Sequence, residues 1–182
     1  LEYAALEFSF SFWQWGGDCA SIPDEKASSK ELFDYMNKIV GISFYDDNTF
    51  HRLLPSYYQH MVELGYYGFD FTPVADLLNV VKSTSNNRFA PKNTNLTYNP
   101  NYIKQVRDYV ENKGDNIIYI YGGHDTWGAC APTPKATVDA LKMVLKGGSH
   151  STRIKDFSPE DKKIIYLKLQ DWLGEKVKLN QL

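Results

Sequence analysis

Two short stretches of this 182-residue sequence end in residue types that can handle protons together. One is Asn116 to Trp127, NIIYIYGGHDTW, in which Asp125 closely follows a double glycine. The other is Gly147-Gly148-Ser149-His150, in which His150 follows a second double glycine. A carboxylate bonded to one nitrogen of a histidine fixes the ring's tautomer and stabilises the imidazolium that forms when the other nitrogen takes a proton. Such a histidine can serve first as general base and then as general acid. Taken alone, Asp125 reads as a turn cap and His150 as a surface histidine between two serines. Taken in order, each behind an apolar run and two glycines, they read as a pair. His124, Asp125 and Cys130 make a poor metal set, since a site needs three or four well-placed ligands. Neither a metal nor another cofactor is expected. His51 and His60 lie near a helical face with Tyr57 and Tyr58 and suit solvated or core-edge roles.

The elements that must position Asp125 and His150 are two strands. Ile117 to Tyr121 is β-branched and aromatic, as suits a strand buried on both faces. Leu141 to Leu145 lies within a second strand expected over 140–146. Neighbouring parallel strands run about 4.8 Å apart, so groups just past their C-terminal ends can meet, and open α/β sheets bind ligands at those ends. An acid after one strand and a histidine after the next is how an α/β-hydrolase presents two members of its triad, in the chain order nucleophile, acid, histidine. The nucleophile is not found. Ser149 and Ser151 sit outside any G-x-S-x-G elbow, and Gly41-Ile42-Ser43 lacks the second glycine and follows a helix. The expected fold class is therefore α/β: the C-terminal part of an α/β-hydrolase, with its last sheet strands and flanking helices, plus a mainly helical cap.

The rest of the chain divides around 83–100, STSNNRFAPKNTNLTYNP, where Ser, Thr, Asn and Pro dominate. Residues 1–98 are expected to form an entry segment and the cap, and 99–182 the end of the core. Residues 2–13 mix strand-like alternation at Phe8, Phe10 and Phe12 with helical spacing, and leave the element type open. Ser28 or Ser29 can cap a helix to about Val40, ended by Gly41. Asp47 or Asn48 can cap a second, 49–64, which Pro55 should kink or break. Thr72-Pro73 starts a third to about Val81. Beyond Pro100, a helix 101–113 stopped by Gly114 precedes the strands. Ser158-Pro159-Glu160-Asp161 opens a last one, ended by Gly174. Asn95-Leu96-Thr97 matches a glycosylation acceptor, a tripeptide common by chance.

Composition bounds the function. The chain is 43% hydrophobic and 23% charged with net charge −2, which excludes an electrostatic case for nucleic acid or anionic membrane. No apolar run approaches the roughly 20 residues of a membrane helix. Aromatic residues make up 15% of the chain, enough for a thick core, a lid or an aromatic-lined cleft. Cys19 and Cys130 form no framework, and whether they pair is left open. The start at Leu1-Glu2-Tyr3, without initiator Met or signal-peptide pattern, reads as part of a longer polypeptide.

Several segments together resemble a known family. They are Glu2-Tyr3 through FSFWQWG (Phe10 to Gly16), Cys19-Ala20-Ser21-Ile22-Pro23, and Glu63-Leu64-Gly65-Tyr66-Tyr67-Gly68. Ile118 through Gly123 to Trp127, and Gly148-Ser149-His150 through Arg153-Ile154, complete the set. In this order they look like the C-terminal portion of the secreted tripeptidyl aminopeptidases, serine peptidases of the α/β-hydrolase fold, some of which prefer proline before the cut. The resemblance covers nearly the whole chain. It implies Asp125 as triad acid, His150 as triad base, a nucleophilic serine N-terminal to Leu1, and an exported (secreted, periplasmic or cell-surface) protein that releases tri- or tetrapeptides from polypeptide N-termini. An aminopeptidase must also hold the substrate's α-ammonium. Glu2 and Glu7, beside the aromatic run, are candidates, each with a plain surface or core-edge role as the alternative. Trp127 is a further substrate-binding candidate. The implied partners are a peptide substrate and either the N-terminal part of the same protein or another copy, covering an otherwise open sheet edge. The competing reading is a non-catalytic module in which Trp13, Trp15, Trp127 and the tyrosines stack on a sugar or peptide.

Overall fold

The computed structural model describes residues 1–176. Among the described residues, four α-helices precede a two-stranded parallel sheet and a fifth follows it, in the order α1 (Glu2–Gln14), α2 (Ser29–Val40), α3 (Asp47–Gln59), α4 (Asn101–Asn112), β1 (Ile117–Gly122), β2 (Ala140–Leu145) and α5 (Pro159–Leu173). The structure is thus mixed α and β. Among the described residues no helix is long and apolar enough to cross a membrane. The chain forms two compact units. One comprises residues 1–12 and 18–105, the other 13–17 and the described residues from 106 on.

The first unit is helical and aromatic. Helix α1 takes the stretch whose period was ambiguous. Its Ala4 and Phe12 are buried, so phenylalanines two apart serve a helix and not a strand. Helix α2 begins with a reciprocal box: the Ser28 hydroxyl accepts from the Glu31 N–H at 3.3 Å, and the Glu31 carboxylate accepts from the Ser28 N–H at 2.8 Å. Gly41 ends it in a left-handed conformation. Helix α3 is capped one residue earlier than expected, by Asp46, whose carboxylate accepts from the Thr49 N–H at 2.7 Å. Pro55 does not break it. The helical path runs through and widens to a π-turn over His60–Leu64, held by the burial of Tyr57 and Met61 on one face.

A helix over 73–81 does not form; there is only a 3-10 turn, Thr72–Leu77. The reason is in the hydrogen bonds. The N–H groups of Asn79, Val80 and Val81, which a helix would turn inward, donate instead to the Glu2 carboxylate at 2.7–3.1 Å. Residues 83–100, which read as a loose boundary, are woven into the unit. Asn86 is 3% exposed and donates its Nδ2 to the Tyr67 carbonyl, while Phe89 packs edge-on against Tyr3 with ring centroids 4.9 Å apart. Tyr57 stacks on Phe89 at 5.4 Å, and Tyr3 also meets Tyr45 and Phe69. Part of the aromatic surplus is therefore packed ring against ring within this unit.

The second unit is built on β1 and β2, parallel and paired in register from Ile117 opposite Ala140 to Gly122 opposite Leu145. The connection between them, residues 123–139, contains no α-helix, only the 3-10 turn Thr126–Cys130. Helix α4 holds it. Arg107 donates to the Cys130 carbonyl at 3.1 Å, and the Glu111 carboxylate accepts from the Thr133 N–H at 2.9 Å. Helix α5 begins as expected, with Ser158 accepting from the Asp161 N–H at 3.1 Å. Its Trp172 indole N–H donates to Asp139 at 2.6 Å, Lys168 pairs with the same carboxylate, and Ile165 is fully buried. Cys19 and Cys130 are exposed free thiols.

Candidate active site

The site is assembled where β1 and β2 end. Gly122 is the last residue of β1 and pairs with Leu145, the last of β2. The two loops beyond are then tied together through the backbone. The Gly123 N–H donates to the Leu145 carbonyl and the His124 N–H to the Gly148 carbonyl, both at 2.8 Å. This close approach requires Gly122 to lack a side chain. A Cβ there would lie 2.5 Å from the Gly148 carbonyl carbon and closer still to the Ser149 oxygen. A glycine at 122 is thus a steric requirement of bringing the two loops together.

The loops place the Asp125 Oδ2 2.8 Å from the His150 Nδ1. The other carboxylate oxygen, Oδ1, accepts from the Trp127 N–H at 3.1 Å, so the acid is oriented from its own turn. The Asp125 side chain is 7% exposed and that of His150 44%. A shielded carboxylate therefore holds one edge of a ring whose other edge reaches solvent. A carboxylate only accepts, so the proton of a neutral ring sits on Nδ1, and Nε2 keeps its lone pair for an incoming proton. The backbone of His150 is fixed as well. Its N–H donates to the Gln14 carbonyl at 2.7 Å, and its carbonyl accepts from Arg153 at 3.2 Å.

From sequence, Trp13 and Trp15 read as part of the FSFWQWG segment and as possible stacking residues of a binding module, not as neighbours of Asp125 and His150. Residues 13–17 pack with the second unit although both of their flanks belong to the first. Trp13 meets His124 and Trp15 meets His150, each with ring centroids 5.3 Å apart and nearly perpendicular. The signal was present, in two tryptophans beside a double glycine, but nothing in local spacing shows what a tryptophan will touch. Trp127 is exposed beside the acid it hydrogen-bonds through its backbone.

The two glutamates proposed for an α-ammonium differ. Both oxygens of Glu2 accept backbone N–H groups, as described above, and the Val81 N–H first among them holds its carboxyl below the usual range. Glu2 thus acts as a backbone clamp. Glu7 is half-buried, accepts from the Tyr67 hydroxyl at 2.7 Å, and is pushed above the usual range by burial. A carboxyl whose pKa is raised on folding binds more protons folded than unfolded, so stability falls as pH rises through that window. Glu7→Gln is therefore expected to raise the melting temperature at pH 7, where a buried carboxylate carries its desolvation cost, and to lose that advantage near the ordinary glutamate value of about 4.3. Thermal unfolding at the two pH values checks this; a gain confined to low pH would reverse the assignment.

Comparison with known proteins follows the geometry. A family model described as PS-10 peptidase S37 matches residues 1–181. The prolyl tri/tetrapeptidyl aminopeptidase of Streptomyces mobaraensis is 25% identical over 178 residues, covering 95% of this chain. The chain spans 37% of the length of that relative. No solved structure matches the chain.

Proposed function

This chain belongs to the PS-10 peptidase S37 family, and from that premise we propose that it is the C-terminal portion of an α/β-hydrolase serine peptidase, contributing the acid and base of a Ser-His-Asp triad. The carrying observation is the 2.8 Å bond between Asp125 and His150 at the ends of two paired parallel strands. The nucleophilic serine is supplied by residues outside this chain. In the complete enzyme, His150 Nε2 takes the serine hydroxyl proton as oxygen attacks the scissile carbonyl carbon. Asp125 stabilises the imidazolium. The same Nε2 proton then passes to the amide nitrogen as the carbon–nitrogen bond breaks and the shortened polypeptide leaves. A water, deprotonated by His150, attacks the acyl-serine and releases the short peptide with return of the serine proton.

The substrate is a polypeptide N-terminus, cut after three or four residues. The similarity to the prolyl tri/tetrapeptidyl aminopeptidase of Streptomyces mobaraensis supports this. Trp127 contacts the substrate. Glu7 is the better of the two candidates for its α-ammonium, because the Glu2 oxygens already serve three backbone donors. The protein is exported, residues 1–98 serve as entry segment and cap, and the remainder of the protein or a second copy completes the sheet. A binding module built on a flat aromatic row fits less well. Trp13 and Trp15 meet histidines nearly perpendicular to them, and Asp125 and His150 are bonded together.

The test uses proline-containing tripeptidyl chromogenic substrates and a serine-directed phosphonate, on the full-length protein and on this chain. Turnover and labelling in the full-length protein alone support the reading. A folded full-length protein with neither overturns it.

A further inference from the structure

Resting on the triad reading above, we propose that Trp15 is a positioning residue for His150, and that Trp13–Gly17 is a strap that sets the geometry of the base. One hydrogen bond at Nδ1 leaves the imidazole free to pivot, because the outer torsion of a histidine has broad wells. A second contact must set the ring plane. Trp15 lies against the His150 ring at 5.3 Å and 81°, the edge-to-face arrangement that aromatic quadrupoles favour.

The strap fixes the same residue a second way. The Gln14 carbonyl takes the His150 N–H at 2.7 Å. Next to it, Gly16 has φ +77°, a conformation side chains resist, and a Cβ on it would come within 3.3 Å of the Ser149 side chain. Trp13 sits on His124, beside the acid. Residues 13–16 thus reach both loops, and they touch the base through its backbone and its ring. Because Trp15 acts on ring orientation and not on the nucleophile or the scissile bond, its removal should slow chemistry more than it weakens binding.

The experiment compares full-length wild type with Trp15→Ala, Trp15→Phe and His150→Ala. It reads kcat and KM separately, together with the downfield Nδ1 proton resonance of His150. The expected result for Trp15→Ala is a loss of about tenfold or more in kcat with KM within about threefold of wild type, and a broadened or shifted resonance. Trp15→Phe keeps an aromatic edge and should restore most of the rate and the resonance. Unchanged kcat and resonance in Trp15→Ala would overturn the proposal while leaving the triad reading standing, as would a raised KM at constant kcat, which marks a substrate contact. If His150→Ala keeps its activity, the triad reading fails instead. The resonance alone then decides the strap: moved by Trp15→Ala, it supports the positioning, and unmoved, it overturns it.

Discussion

His150→Ala in the full-length protein is expected to lower kcat on the order of 10⁶-fold, and Asp125→Asn about 10⁴-fold, with little change in KM. On the proposed triad, alanine removes the group that takes the nucleophile's proton and returns it to the leaving amine. The asparagine case is more discriminating because it keeps the shape. The Asp125 Oδ2 now accepts from Nδ1 at 2.8 Å, which leaves Nε2 unprotonated. An asparagine that turned its amide nitrogen toward Nδ1 would donate there, and the ring would hold its proton on Nε2, where it cannot act as base. The other oxygen accepts from the Trp127 N–H at 3.1 Å, a bond only the asparagine oxygen can keep, which favours that orientation of the amide. The double variant should be no slower than His150→Ala alone, since the two residues act as a unit. Steady-state kinetics on a tripeptidyl substrate check all three variants. Activity of His150→Ala within tenfold of wild type would remove the catalytic role.

Gly122→Ala is expected to be among the most damaging single substitutions in the second unit, with a loss of about 3 kcal/mol or more. The added methyl would lie 2.5 Å from the Gly148 carbonyl carbon, and both neighbours in its way are backbone, which cannot swing aside as a long side chain does. The ends of β1 and β2 would have to part. The backbone bonds from Gly123 to Leu145 and from His124 to Gly148 cross the same gap, so they would stretch or break. Asp125 and His150 would separate with them. Urea unfolding monitored by circular dichroism, alongside kinetics, checks this. A variant with wild-type stability would show that the loops can separate at little cost. Gly147→Ala makes the comparison: a Cβ there meets nothing within 4 Å but faces φ +74°, so it should cost about 1 kcal/mol of backbone strain and leave the carboxylate–imidazole bond in place.

Much of this architecture was legible locally. Helices α2 and α5 announce themselves through Ser28, Glu31, Ser158 and Pro159, because capping hydrogen bonds reach only two or three residues. The strands 117–122 and 140–145 were readable as runs ahead of double glycines, the first β-branched and aromatic, the second apolar over Leu141 to Leu145. The resemblance to the tripeptidyl aminopeptidases was readable from short segments in a fixed order, and the family match covers residues 1–181. Where local rules failed, a distant partner had intervened. Residues 79–81 look helical, but their amide groups are taken by Glu2, 77 or more positions away. Of the kink or break expected at Pro55, the break does not occur, and Tyr57 and Met61 beyond it are buried.

The pairing of acid and histidine illustrates the division most clearly. Residue types, glycines and order along the chain pointed to Asp125 and His150, because the chemistry needs a carboxylate, an imidazole and two tight turns. Their 2.8 Å contact, the shielding of one and the exposure of the other depend on β1 and β2 pairing in one register, a contact across 25 positions that no local pattern encodes. The strap goes further. Trp15 lies 135 positions from His150, and only packing of the folded chain brings its ring to the imidazole. Hydrogen-bonding caps and periodicity act over a few residues and are written in order along the chain. Close approach between distant side chains comes from burying surface in three dimensions, where sequence separation carries no information.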